Sequence, residues 1–277
     1  MAWRFFAGFI FVVTLWGCGS PQVTATALVT GKKLGANLYD VKVSERGRVF
    51  VRTSKGIRDV GGAKWVPQSK DVREFAFSGS RLVSVAGTNL WQHMEENRRS
   101  LLNVHSGRVR LAADANHIYM GLYAGSSGSP GLGIFVYTWE QGHQQVLELP
   151  QIPSAMTIDG QRVIMALGPA LFSFELDGQL RAETVLAGFD RIESLAPWPD
   201  QDALLLSDGN ALYALLPKRG QLVLIFADAG GPIAVSGKRV YLLSRRHNTL
   251  YQLDGLGKAL HDEKRVRPLS AAKAGDR

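Results

Sequence analysis

The sequence predicts an all-β chain made of about six copies of one small antiparallel sheet, closed into a wheel. Three observations predict it. Hydrophobic residues make up 45 % of the 277 and charged residues 20 %, with 30 Gly, and the apolar residues fall in short runs of Val, Leu, Phe and Tyr rather than in long amphipathic stretches. An apolar run recurs six times, at Val49–Val51, Leu82–Val85, Ile118–Met120, Val163–Ala166, Leu204–Leu206 and Val240–Leu243, with spacings of 33, 36, 45, 41 and 36. Each run is followed by a turn and a second strand: Gly56–Val60, Asn89–His93, Ile134–Trp139, Ala170–Glu175, Ala211–Leu216 and Thr249–Leu253.

The clearest copy is Ala155–Gly178, AMTIDGQRVIMALGPALFSFELDG. Asp159-Gly160 and Asp177-Gly178 supply turns, because glycine reaches positive φ without a Cβ clash. Val163–Leu167 and Leu171–Leu176 suit a pleated buried surface, and Gly168-Pro169 between them cannot continue a ladder. Most units also open with an apolar strand and turn, as in Phe75–Gly79, Arg110–Asn116, Met156–Gly160, Ile192–Pro197 and Ile233–Gly237. Self-similarity at about 40 residues with four strands per period marks a β-propeller. The mature length gives six blades, and five or seven also fit. The rival architectures are a pair of β-sandwiches and an open solenoid; a sandwich does not require the same unit six times over. Ring closure needs a strand from one end of the chain to complete a blade begun at the other. Val23–Thr30 is the candidate, completing the blade begun by Pro232–Asp254.

In order, the chain divides into a signal peptide (1–17), a lipidated N-terminus and tether (18–33), the propeller domain (34–260) and a basic flexible tail (261–277). Arg4 supplies a positive start and Phe5–Leu15 an apolar stretch, the form of a secretory signal. That stretch is too short for a spanning helix. Leu15-Trp16-Gly17-Cys18 resembles the lipobox of bacterial lipoproteins, with Trp16 where the family usually has a small residue. The resemblance implies thioether lipidation of Cys18, cleavage before it and acylation of the new amine by a fatty chain such as palmitate. Cys18 is the single cysteine, so no disulfide forms within the chain. Gly19 follows it, and by resemblance to enterobacterial sorting this implies the outer membrane, facing the periplasm or the cell surface.

Tyr123–Gly133, YAGSSGSPGLG, lengthens the third unit. It reads as a hairpin tip, with Gly125, Ser126, Ser127, Gly128 and Ser129 as a candidate binding loop whose N–H groups could cradle an anion. It lacks the phosphate-loop pattern. The six His have no metal-ligand spacing, no GxSxG elbow is present, and Asp200 and Asp202 lack the further oxygens of a calcium loop. Glu95-Glu96 and Arg98-Arg99 read as a solvated charged turn. Trp65, Trp91, Trp139 and Trp198 read as packing between sheets. The strands that could face the axis carry mainly apolar or small residues, with Glu193, Asp190 and Asn116 as candidate mouth residues. No catalytic residue, metal ligand or cofactor is therefore predicted.

The net charge of +8 comes from basic residues scattered singly, which does not suit nucleic acid. The expected function is a lipid-anchored periplasmic scaffold. Its partners are the membrane, through lipid on Cys18, and a protein of the envelope, with no small-molecule substrate identified. The likeness here is to the class of lipoprotein propellers that assist envelope or secretion assemblies, although the outer-membrane-assembly propeller has more blades than this chain can build. Two alternatives stand beside it. One is a metal-dependent lactonase-like hydrolase using the central funnel, since six-bladed propellers include calcium-dependent lactonases. The other is a cell-wall or polysaccharide binder.

Overall fold

A computed structural model describes residues 12–13, 23–104, 108–126, 129–175, 180–227, 229–261 and 266–268. Strand β1 (Val12–Val13) pairs with β2 (Thr24–Thr30), which leads into the short helix α1 (Gly31–Leu34). Blade one follows as β3 (Leu38–Val43), β4 (Val49–Thr53) and β5 (Gly56–Asp59), with one further bridge from Arg58 to Trp65. Blade two is β6 (Val72–Ser78), β7 (Arg81–Ala86), β8 (Asn89–His93) and β9 (Arg98–Asn103). Blade three is β10 (Val109–Ala113), β11 (His117–Ser126), β12 (Ser129–Thr138) and β13 (Gly142–Glu148). Blade four is β14 (Ala155–Asp159), β15 (Arg162–Leu167), β16 (Ala170–Phe174) and β17 (Leu180–Val185). Blade five is β18 (Ser194–Trp198), β19 (Ala203–Ser207), β20 (Leu212–Leu216) and β21 (Gln221–Phe226). Blade six is β22 (Ile233–Ser236), β23 (Arg239–Ser244) and β24 (Thr249–Asp254). Helix α2 (Leu256–Ala259) and β25 (Val266–Pro268) complete the described chain.

All six recurring runs are second strands, and all six companions are third strands. The first strand of each blade touches the first strand of the next, and β22 touches β3, so the ring closes. Blade six takes its outer strand from the other end of the chain: Thr24 pairs with Asp254 and Thr30 with Thr249. The ring thus draws a strand from within the 18–33 stretch. Val266–Pro268, inside the stretch expected as a tail, pairs with Gln221–Val223 as a fifth strand of blade five. The outer edge of β21 offers unpaired N–H and C=O groups, and this segment meets them.

The core is six wedges rather than one mass. Among the described residues, the buried apolar clusters divide by interface. Phe50, Ile57 and Phe75 join blades one and two, and Val83, Leu90, Ile118 and Met120 join two and three. Tyr119, Ile134, Met165 and Phe174 join three and four, while Ile164, Leu171, Leu204 and Leu206 join four and five. Leu205, Leu212, Val240 and Leu242 join five and six, and Val29, Leu243, Val41 and Val51 join six and one. Both faces of every blade are therefore covered. Gly121 allows one close approach: a Cβ there would lie 2.9 Å from both Met156 Sδ and Pro153 Cδ.

Turns repeat as well as strands. Blades two, four and six close their first hairpins through Gly79-Ser80, Gly160-Gln161 and Gly237-Lys238, each flanked by an Arg at the start of the second strand. Their glycines have φ of 59°, 61° and 54°, which a two-residue hairpin turn requires at its first position.

Leu205→Ala removes a fully buried side chain of the five–six wedge and is expected to cost about 2–5 kcal/mol. Removing residues 23–30 is expected to lower the urea midpoint further, because it also strips blade six of its outer strand. A truncated chain with an unchanged midpoint would refute closure by this strand.

Candidate functional site

Every first strand begins on the same face of the ring, and that face carries the chemistry. The starts of the first strands converge on the axis and line a narrow funnel with Asp40, Lys42, Arg52, Glu74, Arg110 and Glu193 among its residues. Charged side chains here correct the expectation that axis-facing strands would be apolar or small. The cause lies in two bulges. Leu38 pairs with Thr53 but Asp40 pairs with Arg52, leaving Tyr39 as an extra residue; likewise Val72 pairs with Ala86 and Glu74 with Val85, leaving Arg73 as an extra residue. A bulge inverts the in–out alternation, and here it turns Asp40 and Glu74 toward the axis.

The acids of the funnel have basic neighbours. Lys42 Nζ lies 3.6 Å from Asp40 Oδ2, Arg110 Nη1 lies 3.4 Å from Glu74 Oε2, and Arg245 donates to Glu193. Arg110 Nε also donates to the Ser154 carbonyl at 3.0 Å, so this one side chain ties blades two, three and four together. Burial, followed by the neighbouring charge of Asp40, holds the Glu74 carboxyl above the usual carboxylate range. Among the described residues no three His, Cys, Asp or Glu side chains are placed to hold a metal ion.

Arg110 and Ser154 also border a larger cavity beside the axis, of about 650 Å³, lined by Arg73, Arg108 and Arg191 with Asp190 as its one acid. Its guanidinium groups come from blades two and three and from the connection between four and five. The end of β11 and the start of β12 lie on the same face, since β11 runs antiparallel to β10 and extends past it beyond Leu122. Gly125 and Ser126 end β11 and Ser129 begins β12; Ser127 and Gly128 lie outside the described residues, as does Cys18.

Glu193 and Asp190 thus stand at this mouth, whereas Asn116 sits in the β10–β11 turn on the opposite face. Among the described residues, Trp65, Trp91, Trp139 and Trp198 form no ring at the mouth. Trp139 Nε1 donates to Ser78 Oγ at 2.9 Å and Trp198 Nε1 to the Gly237 carbonyl at 3.2 Å, each tying neighbouring blades at the far face. Trp91 lies under Arg98 and Trp65 under Arg58. Arg98 departs from the solvated-turn reading: it opens β9 and makes two bonds to Asp71, of 2.8 and 3.1 Å, which hold the Asp71 carboxyl below its usual range.

The chain is a six-bladed β-propeller. No protein-family model matches it, and neither does any curated protein. It is similar in fold to the quinone-cofactor (PQQ) domain of a pyranose dehydrogenase from Coprinopsis cinerea, at TM-score 0.61 and 10 % identity over 87 % of this chain and 97 % of that one. A gluconolactonase from Xanthomonas campestris matches at TM-score 0.59 and 14 % identity, over 83 % and 89 %. An inactivated virginiamycin B lyase from Staphylococcus aureus matches at 0.56 and 11 %, over 88 % and 99 %. At these identities the likeness is one of fold, and fold alone does not carry chemistry.

One histidine of the propeller has a defined setting. The Ser84 hydroxyl donates to His93 Nε2 at 2.8 Å, and His93 Nδ1–H donates to the Pro67 carbonyl at 3.3 Å. Ser84 is fully buried, so the pair locks β7 to β8 and offers nothing to a substrate. Burial lowers the His93 pKa to about 4. The folded state therefore resists protonation that the unfolded chain accepts near its ordinary value of 6.5, and stability falls as pH drops through that window. Between pH 7 and pH 5 the loss is expected to be about 2 kcal/mol. His93→Gln is expected to flatten the dependence; an unchanged slope in urea titrations at the two pH values would contradict it.

Proposed function

We propose that this propeller is a lipid-anchored envelope protein and a non-catalytic scaffold, docking an acidic protein segment on its arginine-lined mouth. The carrying observation is the cavity of about 650 Å³ in which Arg73, Arg108, Arg110 and Arg191 outnumber a single acid, Asp190. Guanidinium groups fork onto carboxylates in pairs, and each such bond is stronger than a neutral one. Anchoring rests on the likeness of Leu15–Cys18 to a lipobox, and several acyl chains on one residue hold a protein stably to a bilayer.

A hydrolase is the alternative, drawing on the gluconolactonase and lyase among the fold neighbours and on the three acids lining the funnel. The pairing of those acids with Lys42, Arg110 and Arg245 favours the scaffold, because a metal-dependent hydrolase needs carboxylates free to converge on one ion.

Crosslinking in the native envelope, followed by identification of the adduct, tests the reading. Arg108→Glu with Arg191→Glu is expected to cut the adduct by about tenfold or more, a loss of at least 1.4 kcal/mol. An adduct of undiminished yield would remove the mouth from the interface, and turnover of a sugar lactone above the uncatalysed rate would favour the hydrolase. Cys18→Ser is expected to move the protein from the membrane fraction to the soluble one with its melting temperature unchanged; retention on salt-washed membranes would end the lipid assignment.

A further inference from the structure

We propose that the cavity between blades four and five is a binding site for a small molecule carrying an indole ring, held there as Trp139 is held between blades two and three.

Two interfaces of the wheel differ at equivalent positions. Trp139 directly follows the third strand of blade three and packs on the two–three wedge. Its ring centre lies 4.4 Å from the Arg81 guanidinium and 5.6 Å from the Tyr137 ring, and its Nε1 donates to Ser78 Oγ. Strand pairing gives the counterparts two blades on. Ser78 pairs with Arg81 across the first hairpin of blade two, as Asp159 pairs with Arg162 in blade four. Tyr137 pairs with Ile118, the second residue of its blade's second strand, as Leu215 pairs with Leu204 in blade five. Two residues beyond Leu215 stands Pro217, in the place of Trp139. The four–five interface thus keeps the arginine and a hydrogen-bond acceptor, but has Leu215 for Tyr137 and Pro217 for Trp139.

The smaller side chains leave room. A cavity of about 440 Å³ lies there, with Asp159, Arg162, Ile164, Leu171, Leu215 and Pro217 among its lining, a volume in the range of small-molecule pockets. Ile164, Leu171 and Leu215 are buried and supply apolar wall. The Asp159 and Arg162 side chains are 39 % and 45 % exposed, so both are open to a ligand. Arg162 also lies 3.4 Å from Asp159 and 3.6 Å from Glu183. These ion pairs do not compete with a ring, because a planar guanidinium meets carboxylates at its edge and aromatic rings at its face. Arg98 does both in this protein: it makes two bonds to Asp71 and lies 4.3 Å over the Trp91 ring. A cation for the ring face, a carboxylate for an N–H at the ring edge and an apolar wall together select an indole.

Isothermal titration calorimetry of the full-length protein in detergent, with a detergent blank subtracted, tests this with indole, 1-methylindole, cyclohexanol and N-acetyltryptophanamide. Indole is expected to bind about fivefold tighter than 1-methylindole, which has no N–H for Asp159, and about fivefold tighter than cyclohexanol, which has no π face. Arg162→Ala is expected to weaken indole by about fivefold. Pro217→Trp is expected to abolish indole binding with the melting temperature unchanged or raised, because the chain then supplies the ring itself. Either 1-methylindole or cyclohexanol binding as tightly as indole would overturn the proposal, and so would undiminished indole binding by Pro217→Trp. An absence of heat with indole at about 10 mM, a concentration that saturates even millimolar sites, would overturn it as well. N-acetyltryptophanamide binding weaker than indole supports a free small molecule; tighter binding overturns that choice and gives the cavity to a tryptophan of another polypeptide. The probe series on the unsubstituted protein decides the matter even if Pro217→Trp fails to fold. First hairpins lie on the face opposite the arginine mouth, so this site and the proposed scaffold surface stand or fall separately.

Discussion

Each blade of this chain has two apolar faces, and that constraint governs everything else. A four-stranded sheet with one apolar face can rest on a single neighbour, but Leu205 and Leu206, adjacent on β19, point into different wedges and are both fully buried. A linear stack would leave the outer faces of its first and last blades in water. Only a ring gives each sheet two neighbours, and pairing of Thr24–Thr30 with Thr249–Asp254 completes the sixth member. At about 25 cal/mol per Å² of apolar surface, one uncovered blade face would forfeit a large share of a stability that amounts to 5–15 kcal/mol for ordinary proteins.

Closure also dictates chemistry at the centre. Six first strands meet around the axis and leave a narrow bore with about 60 Å³ of free space. Charged side chains that partner one another across blades fit there at tolerable desolvation. Arg110 does this most fully, reaching Glu74 in one neighbour and the Ser154 carbonyl in the other. The same arrangement engages the acids of the funnel, and Arg73, Arg108 and Arg191 line the cavity beside it.

The sequence made the second and third strands legible because they alternate cleanly and end in glycine turns: all six runs from Val49 to Leu243 became second strands. The closing strand was legible through its β-branched run and the arithmetic of a ring. The site was not. Asp190 and Glu193 were visible as acids near a strand start, but Asp40, Glu74 and Arg110 were hidden. Counting by twos through LYDVKV and VREFAF assigns the wrong side chains to the axis once Tyr39 and Arg73 are bulged out. A signal existed nonetheless. Asp40, Glu74 and Arg110 each stand at the second or third position of a first strand, LYDVKV, VREFAFS and VRLAA. Val266–Pro268 gave no such signal, because a short basic segment earns its strand only from the edge that β21 presents.

Topology further fixes which way the mouth would look if Cys18 carries lipid. First strands begin at the mouth face, and β24 runs parallel to them, so its last residue, Asp254, lies at the opposite face. Thr24 pairs with Asp254, and the chain therefore enters the wheel from the face away from the arginine cavity. Five residues lie between Cys18 and Thr24, six steps with a reach of about 20 Å at full extension. On the proposed lipid anchoring, a tether that short would hold the entry face and the rim of blade six against the bilayer and turn the cavity outward. The basic mouth would then be spared from sitting on anionic headgroups and left open to ligands arriving from solution, an orientation in which its charge acts at long range on acidic partners rather than on lipid.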